Sequence, residues 1–503
     1  MAGVAVAAAM VLPLAHLVLR ASEAADPLAL ATSARAARAL GRTVALATIV
    51  TAVATVFGVV LAWVLERTDV PARGLLGVVV ALPLVIPTYV LAVAMKDAFG
   101  PSPLLVELPG VVGFRGAAAA LTLATYPYVF LVARATLASV DPALEEAARS
   151  LGDRPRRVFR RVVLPLLRPA AAAGGLLVFL YTLSDFGAVS ILRYETLTVA
   201  VFGEYRTSFN RARPAVLGVL LVATTLVAVA VERRARGRAA ATRAVAGTRP
   251  SPRRGLGRWR WPVTAAVLAV PVAGAGVPLG VLVYRASLGS GSGERVEVLA
   301  RAAVSSVGLS AAAAVVAVVL AVPVGVLVVR FRSRFATFVE AAATAGYALP
   351  GLVVALALVF FAARHVPLVY QTPALVVFAY VIRFYPEALG AARASIAAVD
   401  PALEDVARTL GDTPVRALRR VTVPLVRGGL AAGGALVFLT AMKELPATLL
   451  LRPAGMDTLA TRVWTGAAEG FYRQAAPAAL LLVLVSALAL GPALRLAHRG
   501  GAE

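Results

Sequence analysis

Asp141-Pro142-Ala143-Leu144-Glu145-Glu146-Ala147-Ala148-Arg149-Ser150-Leu151-Gly152-Asp153 recurs as Asp400-Pro401-Ala402-Leu403-Glu404-Asp405-Val406-Ala407-Arg408-Thr409-Leu410-Gly411-Asp412. The offset is 259 residues, and between 141–165 and 400–424 the two copies share 16 identities in 25 positions. The same offset carries Tyr126-Pro127 onto Tyr385-Pro386, Arg134 onto Arg393 and Phe179 onto Phe438, while Leu82-Pro83 pairs with Leu349-Pro350 at a slightly larger one. The chain of 503 residues is therefore one plan written twice.

Around each copy the sequence is apolar. It is 60% hydrophobic and 15% charged, with a mean hydropathy of +0.84, where soluble domains run nearer 45 to 50% and 25%. The apolar residues come in blocks of about 18 to 25, the length that crosses about 30 Å of hydrocarbon. That excludes a cytosolic enzyme and a disordered chain. Twelve candidate spans follow, at 4–19, 43–65, 74–95, 117–137, 169–186 and 214–231, then 262–284, 302–329, 337–362, 374–394, 428–451 and 475–496. Six is even, so both halves begin on the same side of the membrane and the repeats are parallel, related by an axis along the membrane normal. The expected fold is an all-α integral membrane protein of about 12 transmembrane helices. Residues 1–231 form the first six-helix module, 232–261 a basic cytoplasmic linker and 262–503 the second module.

The net charge of +24 would suggest nucleic acid in a soluble protein, but basic residues in membrane proteins gather in cytoplasmic loops. With the amino terminus inside, predicted inside loops hold 29 Lys and Arg against 17 outside, so both termini are expected in the cytoplasm. The first apolar run lacks a basic leader and reads as a retained helix rather than a signal peptide. The chain has no Cys, and its three His, at 16, 365 and 498, are scattered along the sequence. No disulfide, thiolate site or histidine metal cage is expected. No phosphate-cradling Gly-x-x-x-x-Gly-Lys-[Ser/Thr] occurs, and no catalytic set or cofactor site is evident.

Within each loop, 141–165 and 400–424, the local grammar is that of a short amphipathic helix. Asp141 with Pro142 gives a cap and first turn, Leu144, Ala147, Ala148 and Leu151 share a face, and Gly152 stops the helix. A basic run then leads to Leu164-Pro165, where the chain returns to the bilayer. A helix lying on headgroups would carry Lys and Arg on its polar face. This one opens on Glu145 and Glu146, which favours docking into a groove on a protein partner.

The spacing Glu-Ala-Ala, three residues, Gly, nine residues, aliphatic, any residue, Leu-Pro resembles the signature of ATP-binding-cassette importer permeases. Glu146, Ala147, Ala148, Gly152, Val162, Leu164 and Pro165 meet it. The second copy keeps Ala407, Gly411, Val421 and Pro424, with Asp405, Val406 and Val423 as departures that preserve acidic and apolar character. The resemblance covers essentially the whole chain. It implies two coupling helices, with Glu145, Glu146, Glu404 and Asp405 among their contacts, seated on a separate ATPase that works as a homodimer. It also implies cargo delivered by an extracytoplasmic binding protein and location in a bacterial cytoplasmic membrane. The stretches 181–189 and 442–448, with Asp457-Thr458-Leu459-Ala460 and Val463-Trp464, look like the fused permeases for ferric iron. Thiamine and 2-aminoethylphosphonate permeases share that layout and are the alternative cargo classes.

Ionisable residues inside spans are costly and ask for a reason. Asp185 maps onto Glu444, beside Lys443, and these with Tyr126 and Tyr385 are candidates for the translocation path. Capping and helix pairing are the competing account. Arg383 and Glu387 stand at a spacing that permits an ion pair on one helix face. An ion-coupled secondary transporter also has twelve helices in parallel halves, but it has no reason to duplicate a docking loop.

Overall fold

The computed structural model describes residues 2–208, 210–239, 253–288, 296–331, 333–346 and 349–499. Residues 240–252 of the expected linker and the side chain of His498 lie outside this set. Among the described residues every regular element is helical, apart from one isolated bridge between Thr68 and Arg254. The helices used below are α1 (Ala2–Ser22), α2 (Ala34–Arg67), α3 (Arg73–Ala81), α4 (Thr88–Phe99), α5 (Phe114–Ser139), α6 (Pro142–Ser150), α7 (Leu164–Ser184), α8 (Gly187–Ile191), α9 (Leu197–Thr207) and α10 (Ala212–Ala239). They continue as α11 (Arg260–Pro271), α12 (Val277–Ser287), α13 (Val296–Arg330), α14 (Arg334–Ala345), α15 (Gly351–His365), α16 (Pro373–Ala398), α17 (Pro401–Thr409), α18 (Val423–Met442), α19 (Pro446–Leu451), α20 (Leu459–Glu469) and α21 (Tyr472–Arg499).

Ten of the described helices or helical runs are long and apolar enough to cross a membrane, or up to 11 with one bent pair counted as a span. That pair is the third expected span, which bends by 90° between Arg73–Val85 and Thr88–Phe99. Pro83 opens a tight 3₁₀ turn and Pro87 precedes α4. Proline cannot donate a backbone hydrogen bond and pushes the residue before it out of helix geometry, so the span breaks there. Over the ninth expected span lie two helices, α14 and α15, with Pro350 capping the second.

Two compact units result, and they are not the two halves of the sequence. One comprises Met1–Leu30, Glu204–Val222 and Leu288–Glu503; the other comprises Ala31–Gly203 and Ala223–Ser287. In the second, α2, α5 and α7 pack against one another, α4 packs on α8, and α11 and α12 from the later half of the chain lie against α3 and α4. In the first, α13, α16 and α18 repeat the three-helix core and α15 packs on α19. Here α1, from the earlier half, lies against α14 and α15. Each unit thus closes its broken span with the leading helix of the opposite repeat.

Small residues set the closeness of the three-helix cores, as expected where apolar burial does not distinguish lipid from protein. A Cβ at Gly58 would stand 2.8 Å from the Phe130 amide nitrogen, and one at Gly174 would stand 2.8 Å from the Val129 Cα. Gly433, the repeat partner of Gly174, meets Ala388 and Ala391 in the same manner.

Candidate functional site

The duplicated loops are built alike. Asp141 accepts a hydrogen bond from the Ala143 amide at 2.9 Å, and Asp400 accepts one from the Ala402 amide at 2.9 Å, so each carboxylate caps its helix. The helices end where Gly152 and Gly411 take φ of +87° and +94°, a conformation in which glycine carries no side-chain penalty. Gly152 and Asp153 donate to the carbonyls of Arg149 and Ala148, and Gly411 and Asp412 to those of Arg408 and Ala407. These bonds satisfy the orphaned carbonyls of the last turn. Asp153 then lies 3.3 Å from Arg157 and 3.9 Å from Arg161, while Asp412 lies 3.8 Å from both Arg416 and Arg420.

Beyond the basic run, both copies pass through a π-helical turn, Phe159–Val163 and Leu418–Thr422, immediately before Pro165 and Pro424. Proline in a continuing helix collides with the carbonyl four residues earlier, and a wider turn relieves that collision. The Pro of each loop therefore marks a shaped joint between loop and span rather than a simple return to the bilayer.

The orientation of α6 and α17 is unusual for surface helices. Leu144, Leu151, Leu403, Val406 and Leu410 are exposed, Leu151 at 86% and Leu410 at 83%. A surface helix ordinarily turns its apolar stripe to the core. These turn it outward, with Ala147 exposed and Ala148 half-buried, and Ala407 buried in the second copy. The two neighbouring acids separate. Glu146 and Asp405 face outward, Asp405 pairing with Arg408, whereas Glu145 is buried and Glu404 half-buried.

Glu145 is held 3.0 Å from Arg67, the last residue of α2, and 3.2 Å from Arg149. Glu404 is held 3.2 Å from Arg330, the last residue of α13, and accepts the Thr422 hydroxyl at 2.7 Å. Arg330 also donates to the Val399 carbonyl at 3.0 Å. Sequence comparison at the 259 offset passes over these arginines, because 67 and 330 are 263 apart and four extra residues lie between repeat elements. Aligning the ends of the second span of each half would have found them. Among the described residues a further contact belongs to the first copy. The amide of Arg254 donates to the Arg67 carbonyl at 3.0 Å, the Asp69 amide to the Arg254 carbonyl at 3.2 Å, and the Leu256 amide to Asp69 at 2.9 Å. Burial lowers the Arg254 pKa, the like charge of Arg149 adds to this, and Glu145 opposes it.

Two of the membrane carboxylates, Asp185 and Glu444, fall at helix ends. Asp185 is buried, accepts the Thr88 hydroxyl at 2.6 Å and takes the amides of Ala188 and Val189 at 3.0 and 3.3 Å, capping α8. Glu444 is buried at the equivalent place, takes the Ala447 amide at 3.2 Å ahead of α19 and pairs with Arg383. Arg383 thus reaches across to α18's end, and Glu387 instead accepts the Thr440 hydroxyl at 2.9 Å. Lys443 terminates α18. Tyr126 and Tyr385 are fully buried, donating to the carbonyls of Val80 at 2.6 Å and Leu320 at 3.1 Å. Arg134 pairs with Glu66 at 2.7 Å, and Arg393 pairs with Glu340. Among the described residues no group of three or more His, Asp or Glu is arranged to hold a metal ion.

A membrane chain whose helical plan is written twice, with two matched loops that each show an apolar face outward, has the layout of a transport permease. Residues 54–235 and 317–496 each match the family model described as binding-protein-dependent transport system inner membrane component, and the chain belongs to that family. It is 33% identical over 483 residues, 95% of its own length and 94% of the relative's, to the Fe(3+)-transport system permease protein FbpB 2 of Haemophilus influenzae. Over 190 residues, 37% of the chain and 68% of the relative, it is 36% identical to a probable molybdenum ABC transporter permease of Haloferax volcanii. Over 188 residues, 35% of the chain and 68% of the relative, it is 30% identical to the sulfate transport system permease protein CysT of Salmonella typhimurium. The chain is accordingly a multi-pass inner membrane component of an ABC transport system.

Proposed function

We propose that this chain is the translocation subunit of an ATP-driven importer of ferric iron, with both permease modules, 1–231 and 262–503, on one polypeptide. ATP is hydrolysed on a separate ATPase homodimer, and an extracytoplasmic binding protein delivers cargo and carries most of its selection. Both termini lie in the cytoplasm, as the excess of basic residues in the predicted inside loops favours. Loops 141–165 and 400–424 dock on the two ATPase subunits and convert their closure into alternating access of the helical path.

The observation that carries this reading is the outward apolar face of α6 and α17, beside the exposed acids Glu146 and Asp405. Exposed apolar surface of this kind is costly unless a partner covers it. Ferric iron as cargo is supported by the full-length likeness to an Fe(3+)-transport permease, since the molybdenum and sulfate relatives align over little more than a third of the chain. Asp185 and Glu444, with Lys443, Tyr126 and Tyr385, act chiefly as caps and ties that shape the path.

The test is uptake of labelled ferric iron by cells lacking the gene, complemented with the native chain or with Glu146→Lys plus Asp405→Lys. We expect uptake from the native chain and none from the double variant, at unchanged membrane levels. Equal uptake with and without the native chain overturns the iron assignment and turns the search to thiamine and phosphonates. Native-level uptake by the charge-reversed chain removes those acids from docking.

A further inference from the structure

We propose that Arg67 and Arg330 are positioning residues that lock each coupling helix to the long second helix of its repeat, so that movement of the loop moves α2 and α13 directly. The inference rests on the docking reading above and adds how the motion leaves the loop.

By chain connection alone, α6 is joined to α5 through Val140 and to α7 through the π-helical turn. Nothing covalent near it reaches α2. The Arg67–Glu145 ion pair supplies that third attachment, and α2, α5 and α7 are the three helices that pack into one core. The second copy reproduces the arrangement with different surroundings: α17 follows α16, leads to α18 and is tied to α13 by Arg330–Glu404. An accidental ion pair would not recur at the same element end in both repeats, across sequence separations of 78 and 74 residues.

Burial argues the same way. Arg67 is 4% and Glu145 5% exposed while Arg330 and Glu404 are half-buried, and removing one partner of a buried pair leaves the other charge uncompensated. Apolar contacts between α6 and α2 would hold but slide. Opposite charges at a single pair of positions resist displacement both toward and away from the membrane. The braces differ in detail yet serve the same acid. Thr422, on the joint leading to α18, donates to Glu404, while its counterpart Val163 has no hydroxyl to give. In the first copy Arg149 takes that place on Glu145, and the backbone of Arg254 and Leu256 clasps the segment 67–69.

The lock separates two things the loop must do. Glu146 and Asp405, facing out, would serve contact with the ATPase; Glu145 and Glu404, facing in, would serve transmission. Removing the inner pair should therefore leave binding and lose coupling.

The experiment uses the full chain with its ATPase and binding protein in proteoliposomes, reading ATPase co-purification and labelled ferric iron taken up per ATP hydrolysed. For Arg67→Gln with Arg330→Gln we expect co-purification to persist while uptake per ATP falls about tenfold, within the range by which coupling residues act. Arg67→Lys with Arg330→Lys, which keeps both charges, should recover a large part of the loss. The exchanged pair Arg67→Glu with Glu145→Arg should also outperform either single change. Uptake per ATP unchanged in the Gln variant overturns the lock. So does a loss that only parallels lost co-purification and is not relieved by Lys or by exchange, because that pattern marks a merely structural role. Docking is read separately: co-purification that survives Glu146→Lys with Asp405→Lys counts against the docking reading and leaves the ratio measurement standing by itself.

Discussion

Asp185 shows how a buried charge in a membrane helix can be fully occupied without touching cargo. Its carboxylate takes one hydroxyl and two backbone amides, so an amide in its place keeps the oxygen that accepts the Ala188 and Val189 amides and loses the charge together with the oxygen that accepts the Thr88 hydroxyl. We expect Asp185→Asn to transport at near-native rates and to unfold close to the native temperature. Asp185→Ala should lose about 1 kcal/mol, the usual worth of a cap, read as a lower thermal midpoint in detergent. Transport abolished in the Asn variant with stability intact would instead give the charge a place on the path. Glu444 pairs with Arg383, so Glu444→Gln should lower the thermal midpoint. The same scale shows what the sequence conceals. Adjacent acids on a helix point about 100° apart, and Glu145-Glu146 reads as one acidic patch until Arg67, 78 residues earlier, is seen to select one of them.

Helix contacts in the cores turn on glycines whose importance follows from backbone distance rather than from flexibility. Gly174→Ala would drive a methyl into the Val129 backbone, and Gly58→Ala into that of Phe130. Each should cost about 1 to 3 kcal/mol, the range for overfilling a close-packed site. By contrast, an added Cβ at Gly41 or Gly308, within α2 and α13, meets nothing within 4 Å, so those Ala variants should be neutral or slightly stabilising. Thermal unfolding of the four purified variants checks the contrast, and equal midpoints for Gly174→Ala and Gly41→Ala would contradict it. The hydropathy pattern predicted twelve spans where ten, or up to 11, are found among the described residues, and it drew the third and ninth as straight. The prolines that break them, Pro83, Pro87 and Pro350, were visible in the sequence. Proline is tolerated inside other spans, however, as at Pro127 in α5 and Pro323 in α13. The third span breaks where Pro83 and Pro87 flank a turn and the ninth is interrupted before the single Pro350, so proline alone does not decide it: a break needs neighbouring helices to cover the freed backbone, and that is tertiary information.

The repeat itself was legible over the whole molecule, and with it the all-helical membrane plan, of which ten to 11 spans are found among the described residues, and the position of both duplicated loops. Which helix closes which unit was not, because apolar faces of lipid-exposed helices carry little pairing code. The exchange of leading helices makes a definite demand on the chain. Asp97, 3% exposed in α4, is held by Arg285 of α12 through contacts of 2.7 and 2.6 Å. A first half made alone keeps Asp97 and loses Arg285, stranding a buried carboxylate at a cost of about 3 to 5 kcal/mol. A second half made alone lacks α1, whose Val6, Met10 and Leu17 are buried, and leaves α14 and α15 uncovered. We therefore expect that cutting the chain between residues 245 and 246 yields two pieces that accumulate poorly when expressed separately. Expressed together, they should co-purify and restore iron uptake, since the cut falls outside every described helix. Arg285→Ala in the intact chain should reproduce part of the first half's defect as lowered membrane abundance. If either piece accumulates alone at the level reached in co-expression, the exchanged helices are not required for the units to fold, and the partition into Met1–Leu30, Glu204–Val222 and Leu288–Glu503 against the remainder describes proximity rather than dependence.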